Sequence, residues 1–149
     1  MVIMALNMNI RLAKETEISE CARILLEEFS KQGEPWSLET AKARLSELFK
    51  NNPDLCFCLE LNEEIVGFSF AERFKYAKGN YLWISELAVS SEQQGKGFGL
   101  QALKFMENLA EEQDFDALIL AANRDEKAFK IYEKFGFKPT NYEFMEKEL

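Results

Sequence analysis

Between a stretch with strand composition and a stretch with helical periodicity, the chain reads Gln94-Gly95-Lys96-Gly97-Phe98-Gly99, with glycine at alternate positions. Upstream, Tyr81 to Val89 is rich in aromatic and branched residues. Downstream, Leu100, Leu103, Met106, Leu109 and Ala110 recur on one helical face. A strand that passes through a glycine-rich loop into a helix is an α/β element, and the fold is limited accordingly. The plain reading of such a loop is a flexible turn; the more specific one is a pyrophosphate cradle. Glycine lets the backbone aim several N–H groups at one point, and a helix start adds about half a positive charge there. Two other phosphate loops are excluded by the letters. A nucleoside-triphosphate loop needs Gly-Lys-Ser/Thr, but Gly97 follows Lys96; a dinucleotide fingerprint needs glycine where Leu100 stands.

The rest of the chain supplies the frame. Met8 to Lys14 alternates Met8, Ile10 and Leu12 with polar residues, as a half-buried strand does. Thr16 is placed to cap a helix carrying Ile18, Cys21, Ala22, Leu25 and Phe29, and Ser37 to cap a second with Leu38, Ala41, Leu45, Leu48 and Phe49. Leu55 to Leu61 and Ile65 to Phe74 read as strands joined by a short turn at Asn62-Glu63-Glu64. A second turn at Lys78-Gly79-Asn80 leads into Tyr81 to Val89, so this run is antiparallel. Ala117 to Ala122 is apolar at every position and predicts a central strand covered on both faces. A helix with Ala128, Ile131, Tyr132 and Phe135 ends at Gly136, and a last strand is expected near Tyr142 to Met145. The element order β-α-α-β-β-β-α-β-α-β predicts a three-layer α/β domain spanning residues 1–149.

Composition narrows the chemistry. The 149 residues carry a net charge of -8, which disfavours nucleic acid as a partner, since phosphate binding needs clustered Lys and Arg. A cationic partner suits that charge better, and added solubility is its simplest use. The sequence has no histidine, so Ser-His-Asp and Cys-His mechanisms and histidine-ligated metals are excluded, and no metal site is expected. Cys21, Cys56 and Cys58 lack metal-ligand spacing and read as reduced core thiols. The opening Met1 to Leu6 has neither the length nor the basic start of a signal peptide, and no apolar run suits a membrane span; a cytoplasmic protein is expected. A homodimer is compatible with the sequence.

The glycine loop resembles the acetyl-CoA loop of the GNAT superfamily of N-acetyltransferases, with Gln94, Gly97 and Gly99 in register. Ile84 to Val89 is similar to that family's fourth strand, and Tyr132-Glu133-Lys134-Phe135-Gly136-Phe137 to its Tyr-x-x-x-Gly-Phe signature. The resemblance is strong from Ile65 to Phe137 and implies a mixed, mostly antiparallel sheet of 6-7 strands with helices on both faces. It implies transfer of an acetyl group from acetyl-CoA to a primary amine of a small molecule or peptide. A coenzyme-binding module without turnover is the alternative. Backbone groups of Leu87, Ala88 and Val89 would pair with the coenzyme's arm, an N–H near Ala88 would hold the thioester oxygen, and Gln94, Gly95, Lys96, Gly97, Phe98, Gly99 and Lys134 would line the phosphates. The family often has asparagine seven residues before the tyrosine; here that residue is Asp125, and Asn123 lies two residues earlier, so either is the candidate contact.

Acyl transfer to an amine needs a proton acceptor for the amine and a donor for the departing thiolate. Glu86 is the one carboxylate among Leu82, Ile84 and Ala88 on a strand face, where burial raises its pKa; its alternative role is as a salt-bridge partner. Tyr132 lies on an apolar helical face, where packing is the simple reading, and the resemblance implies that it protonates the leaving sulfur. By the same resemblance the acceptor lies near Phe29, Trp36, Glu72 and Tyr81, where aromatic walls and acids such as Glu28 and Glu34 suit an amine.

Overall fold

Ser37 illustrates how local chemistry fixes an element boundary. Its hydroxyl accepts the Thr40 N–H at 3.0 Å while Thr40 Oγ1 accepts the Ser37 N–H at 2.9 Å, and α2 (Leu38–Asn51) starts there. Thr16 does not cap in the same way. Glu15–Glu17 forms a one-turn 3-10 helix, Glu17 accepts the Lys14 N–H at 2.9 Å, and α1 (Ile18–Ser30) begins beyond it. The computed structural model describes residues 8–149; the residues before the first predicted strand lie outside that range.

The five strands are β1 (Met8–Leu12), β2 (Cys56–Leu61), β3 (Glu64–Tyr76), β4 (Gly79–Val89) and β5 (Ala117–Leu120), in the spatial order β1-β2-β3-β4-β5. The first four are antiparallel neighbours and β4 pairs with β5 in parallel, so the sheet is mixed and mostly antiparallel. Asn62 and Glu63 both adopt positive φ, the backbone twist a two-residue hairpin demands. Helices cover both faces. α1 and α2 seal Cys56, Cys58, Phe68, Phe70 and Ala88; α3 (Phe98–Glu112) and α4 (Lys127–Phe135) lie over Phe57, Ala71, Leu82 and Ile84.

The expected 6-7 strands become five among the described residues. Tyr142 to Met145 joins no strand. The Tyr142 and Phe144 rings instead lean on Tyr76 and Trp83, with centroids 6.3 and 6.4 Å apart. In consequence β5 is the sheet's edge rather than a central strand, ends at Leu120, and has all four residues half-buried. An apolar run carries no information about which neighbours its backbone will find, and this is where the sequence reading failed. Among the described residues no helix is long and apolar enough to cross a membrane.

Candidate active site

A β-bulge in β4 sets the direction of the central carboxylate. Phe70 pairs with Glu86 but Ala71 pairs with Ile84, so Ser85 is an extra residue in β4. The alternation breaks there: Leu82 and Ile84 pack toward α3, whereas Ala88 packs with α1 and α2 and Glu86 reaches Arg44 of α2. The expected shared face of Leu82, Ile84, Glu86 and Ala88 is thereby corrected, since strict period-two counting does not see a bulge. Glu86 has a side chain 16% exposed, and its Oε1 accepts from Arg44 Nε at 3.3 Å. Burial pushes its carboxyl above the usual carboxylate range; the Arg44 charge and hydrogen bond oppose this, and nearby Glu34 adds to it. Glu86 is both a desolvated carboxylate and a salt-bridge partner, and Arg44 is a partner of Glu86 that sequence reasoning missed.

Beside Glu86 the sheet opens. The β4–β5 register ends at Ile84 opposite Leu120, so among the described residues Ser85 to Val89 has no strand on that side. The Ser90 N–H donates to Val66 O at 2.8 Å, and the alternation of an antiparallel ladder then turns the backbone groups of Glu86 and Ala88 toward β3 and those of Leu87 and Val89 toward the opening. Around Ala88, the N–H groups of Leu87 and Val89 therefore face the opening, and that of Ala88 faces β3. Gly67 permits this packing: a Cβ there would lie 2.6 Å from the Ala88 carbonyl oxygen.

The glycine loop sits at the mouth of the opening. Gly95 and Gly97 have φ of +81° and +82°, and a Cβ at Gly95, Gly97 or Gly99 would meet nothing within 4 Å. The first α3 amide with a carbonyl of its own turn to bond is that of Gln101, which donates to Gly97 O at 3.0 Å; those of Phe98, Gly99 and Leu100 precede it. An open loop with backbone donors fits a pyrophosphate. Gln94 works as a tether. Its Nε2 donates to Val89 O at 2.9 Å and to Glu28 Oε2 at 2.6 Å, while Ser91 Oγ donates to Glu28 Oε1 at 2.5 Å. Lys96 Nζ donates to Gln93 Oε1 at 2.8 Å, and the Phe98 ring is buried beneath the loop, so at Phe98 only the backbone can face a ligand.

Tyr132 lies half-buried in the cluster beneath α4, its ring edge-on to Phe137 at 6.1 Å. Burial pushes its phenol above the ordinary value, so it holds its proton at neutral pH. No hydrogen bond of its hydroxyl is present among the described residues, which sets it apart from a core tyrosine with a satisfied polar tip. Asn123 Oδ1 accepts the Asp125 N–H at 2.9 Å in the turn before α4; both residues are exposed, as is Lys134 in the last turn of α4.

The four expected acceptor residues divide. Glu72 lies in the Glu86 neighbourhood, accepting from Ser85 Oγ at 2.6 Å with Arg44 Nη2 4.0 Å away. Trp36 is half-buried against the α1/α2 core and donates Nε1–H to Glu34 at 3.2 Å. Phe29 packs against that same core, and Tyr81 is buried in an aromatic cluster with Phe74 and Tyr76.

The chain belongs to the acetyltransferase (GNAT) family, whose model matches residues 18–137. Its fold is similar to that of a possible acetyltransferase from Clostridium difficile 630, with TM-score 0.80, 16% identity and coverage of 97% of this chain and 99% of that one. It is similar also to a predicted acetyltransferase from Clostridium acetobutylicum, solved with acetyl-CoA, at TM-score 0.75, 22% identity and coverage of 95% and 96%. A third likeness is to the aminoglycoside N-acetyltransferase AAC(6')-Iy in complex with CoA, at TM-score 0.78, 12% identity and coverage of 99% of each chain. No curated protein sequence matches the chain.

Proposed function

We propose that this protein is an acetyl-CoA-dependent N-acetyltransferase acting on a primary amine of a small molecule or peptide by direct attack on the thioester. The observation that carries the reading is the end of β4–β5 pairing at Ile84 and Leu120, which opens a strand edge between the glycine loop and Glu86. Acetyl-CoA supplies an acetyl group activated as a thioester. The backbone of residues 94–99 would hold its pyrophosphate, and Lys96, Lys134 and Asn123 or Asp125 are the remaining candidate contacts. Leu87 and Val89 would offer strand-like backbone bonds to its arm, one N–H serving the oxygen that gains negative charge.

Glu86 takes the proton that the amine nitrogen loses as its bond to the acetyl carbon forms, directly or through a water. Tyr132 gives its proton to the sulfur as the carbon–sulfur bond breaks, and a thiol with a pKa of about 8.5 needs only a modest acid. The likeness to an aminoglycoside acetyltransferase and the acids Glu34 and Glu72 support a cationic acceptor near Trp36. Only a charged carboxylate can take that proton, so Glu86 must be ionised when the acceptor binds.

Calorimetric titration with acetyl-CoA tests the reading, run beside Gly97→Glu, which fills the open face of the loop with a negative charge. Micromolar binding by the wild type, lost in the variant, is expected. Amines would then be screened by thiol release. No binding by the wild type at physiological salt would overturn the proposal, and binding without turnover for any amine would favour a coenzyme-binding module.

A further inference from the structure

Side chains from three elements form a chain around the site. Ser85 Oγ donates to Glu72 Oε2 at 2.6 Å, Glu72 Oε2 lies 4.0 Å from Arg44 Nη2, and Arg44 Nε donates to Glu86 Oε1 at 3.3 Å. The bulge makes this arrangement, because it brings Ser85 within reach of Glu72 and turns Glu86 toward Arg44. We propose that Arg44 is a positioning residue that orients Glu86 and favours its charged form, and that Glu72, held by Ser85, moderates it by competing for the same guanidinium. The proposal rests on the reading of Glu86 as the proton acceptor.

Two charged groups act on Glu86, Arg44 from α2 and Glu34 from the α1–α2 connection, and Glu72 from β3 lies against the same guanidinium. Glu34 disfavours a second negative charge. Arg44 alone favours it, and a guanidinium never gives up its charge in water. Its Nε occupies one oxygen of Glu86 and leaves Oε2 for the acceptor's proton. Without Arg44, burial and Glu34 act unopposed, and the carboxyl would take up its proton at a higher pH than with the guanidinium beside it.

The roles of Arg44 and Glu72 predict shifts of opposite sign, which a merely structural role would not give. The measurement is the Glu86 titration by carboxyl carbon NMR on glutamate-labelled protein, with its resonance assigned by its loss in Glu86→Gln. Arg44→Met should raise the Glu86 midpoint by about one pH unit or more. Arg44→Lys should stay near the wild type, and Glu72→Gln should lower the midpoint by freeing the guanidinium and removing a negative charge. An unchanged midpoint in Arg44→Met, or a raised one in Glu72→Gln, would overturn the proposal. If Arg44→Met does not fold, Glu72→Gln decides alone by the same sign. The titration needs neither coenzyme nor turnover, so a wild type that fails to bind acetyl-CoA would overturn the functional reading and leave this test intact.

Discussion

Around β2 and β3, residues Cys21, Ala22, Leu25, Ala41, Leu45, Cys56, Cys58, Phe68 and Phe70 have no exposed surface, whereas no residue of α4 or β5 is buried to that degree. Beyond α4, Tyr142, Phe144 and Met145 are 77%, 80% and 95% exposed. The difference has a plain origin. β2 and β3 have strands on both sides and helices on their faces, while β5 is an edge paired over four residues. The two proposed proton-transfer residues fall on opposite sides of this divide: Glu86 on a strand fixed by β3, Tyr132 on the loosely held α4. Elements with few fully buried residues open more readily than a packed core, so α4 is expected to be the more mobile of the two.

The sharpest way to break the comparison is core truncation. Phe70→Ala should cost about 3–5 kcal/mol in urea unfolding, because its surroundings are close-packed and cannot collapse onto the cavity. Ile131→Ala on the half-open α4 should cost less than about 1 kcal/mol. Equal losses would show the two regions to be equally packed. Tyr132→Phe comes next: kcat should fall about 100-fold, as expected for loss of a general acid, while the melting temperature holds. A variant equally active would return Tyr132 to a packing role.

Hydrogen exchange gives a smaller effect. Amides of α4 and β5 should exchange at least about tenfold faster than those of β2 and β3, through openings that leave the first region folded. The smallest effect is expected in acid. Arg11 joins Glu17 at 2.7 Å and Glu60 at 2.6 Å, and its hydrogen bond holds the Glu17 carboxyl below the usual range. A depressed folded value means that this stability is present above the unfolded value of about 4.3 and is lost as pH falls through the folded one. Arg11→Met should therefore reduce the acid dependence of stability below about pH 4.3, by under about 1 kcal/mol. Among the described residues no salt bridge involves a residue after Glu107, so the C-terminal region has no matching contribution.

Reading the sequence was most successful where chemistry is local. The cap at Ser37, the glycine loop between β4 and α3, and Gly136 at the end of α4 each depend on a few adjacent residues and stand where the letters place them. The turn expected at Asn62-Glu63-Glu64 shortens to Asn62-Glu63, because Glu64 pairs with Leu61. It was least successful at Arg44, which no motif marks. An arginine on an amphipathic helix looks like any solvated one until the helix is docked on a particular strand. It also failed at Tyr142 to Met145, whose alternation is that of a strand but whose backbone finds no partner in the described sheet.

The sequence by itself determined the α/β class, the family and the glycine loop between β4 and α3, because periodicity, caps and glycine spacing act within a few residues of themselves. Only the tertiary structure decided that β5 is an edge, that Leu87 and Val89 rather than Ala88 offer their backbone to the opening, and that Glu86 meets Arg44. Each of these depends on strand register, on one bulged residue in β4, and on contacts between elements far apart in the chain. A single slip of register reverses which side a backbone group or side chain faces, and nothing in the local sequence records it.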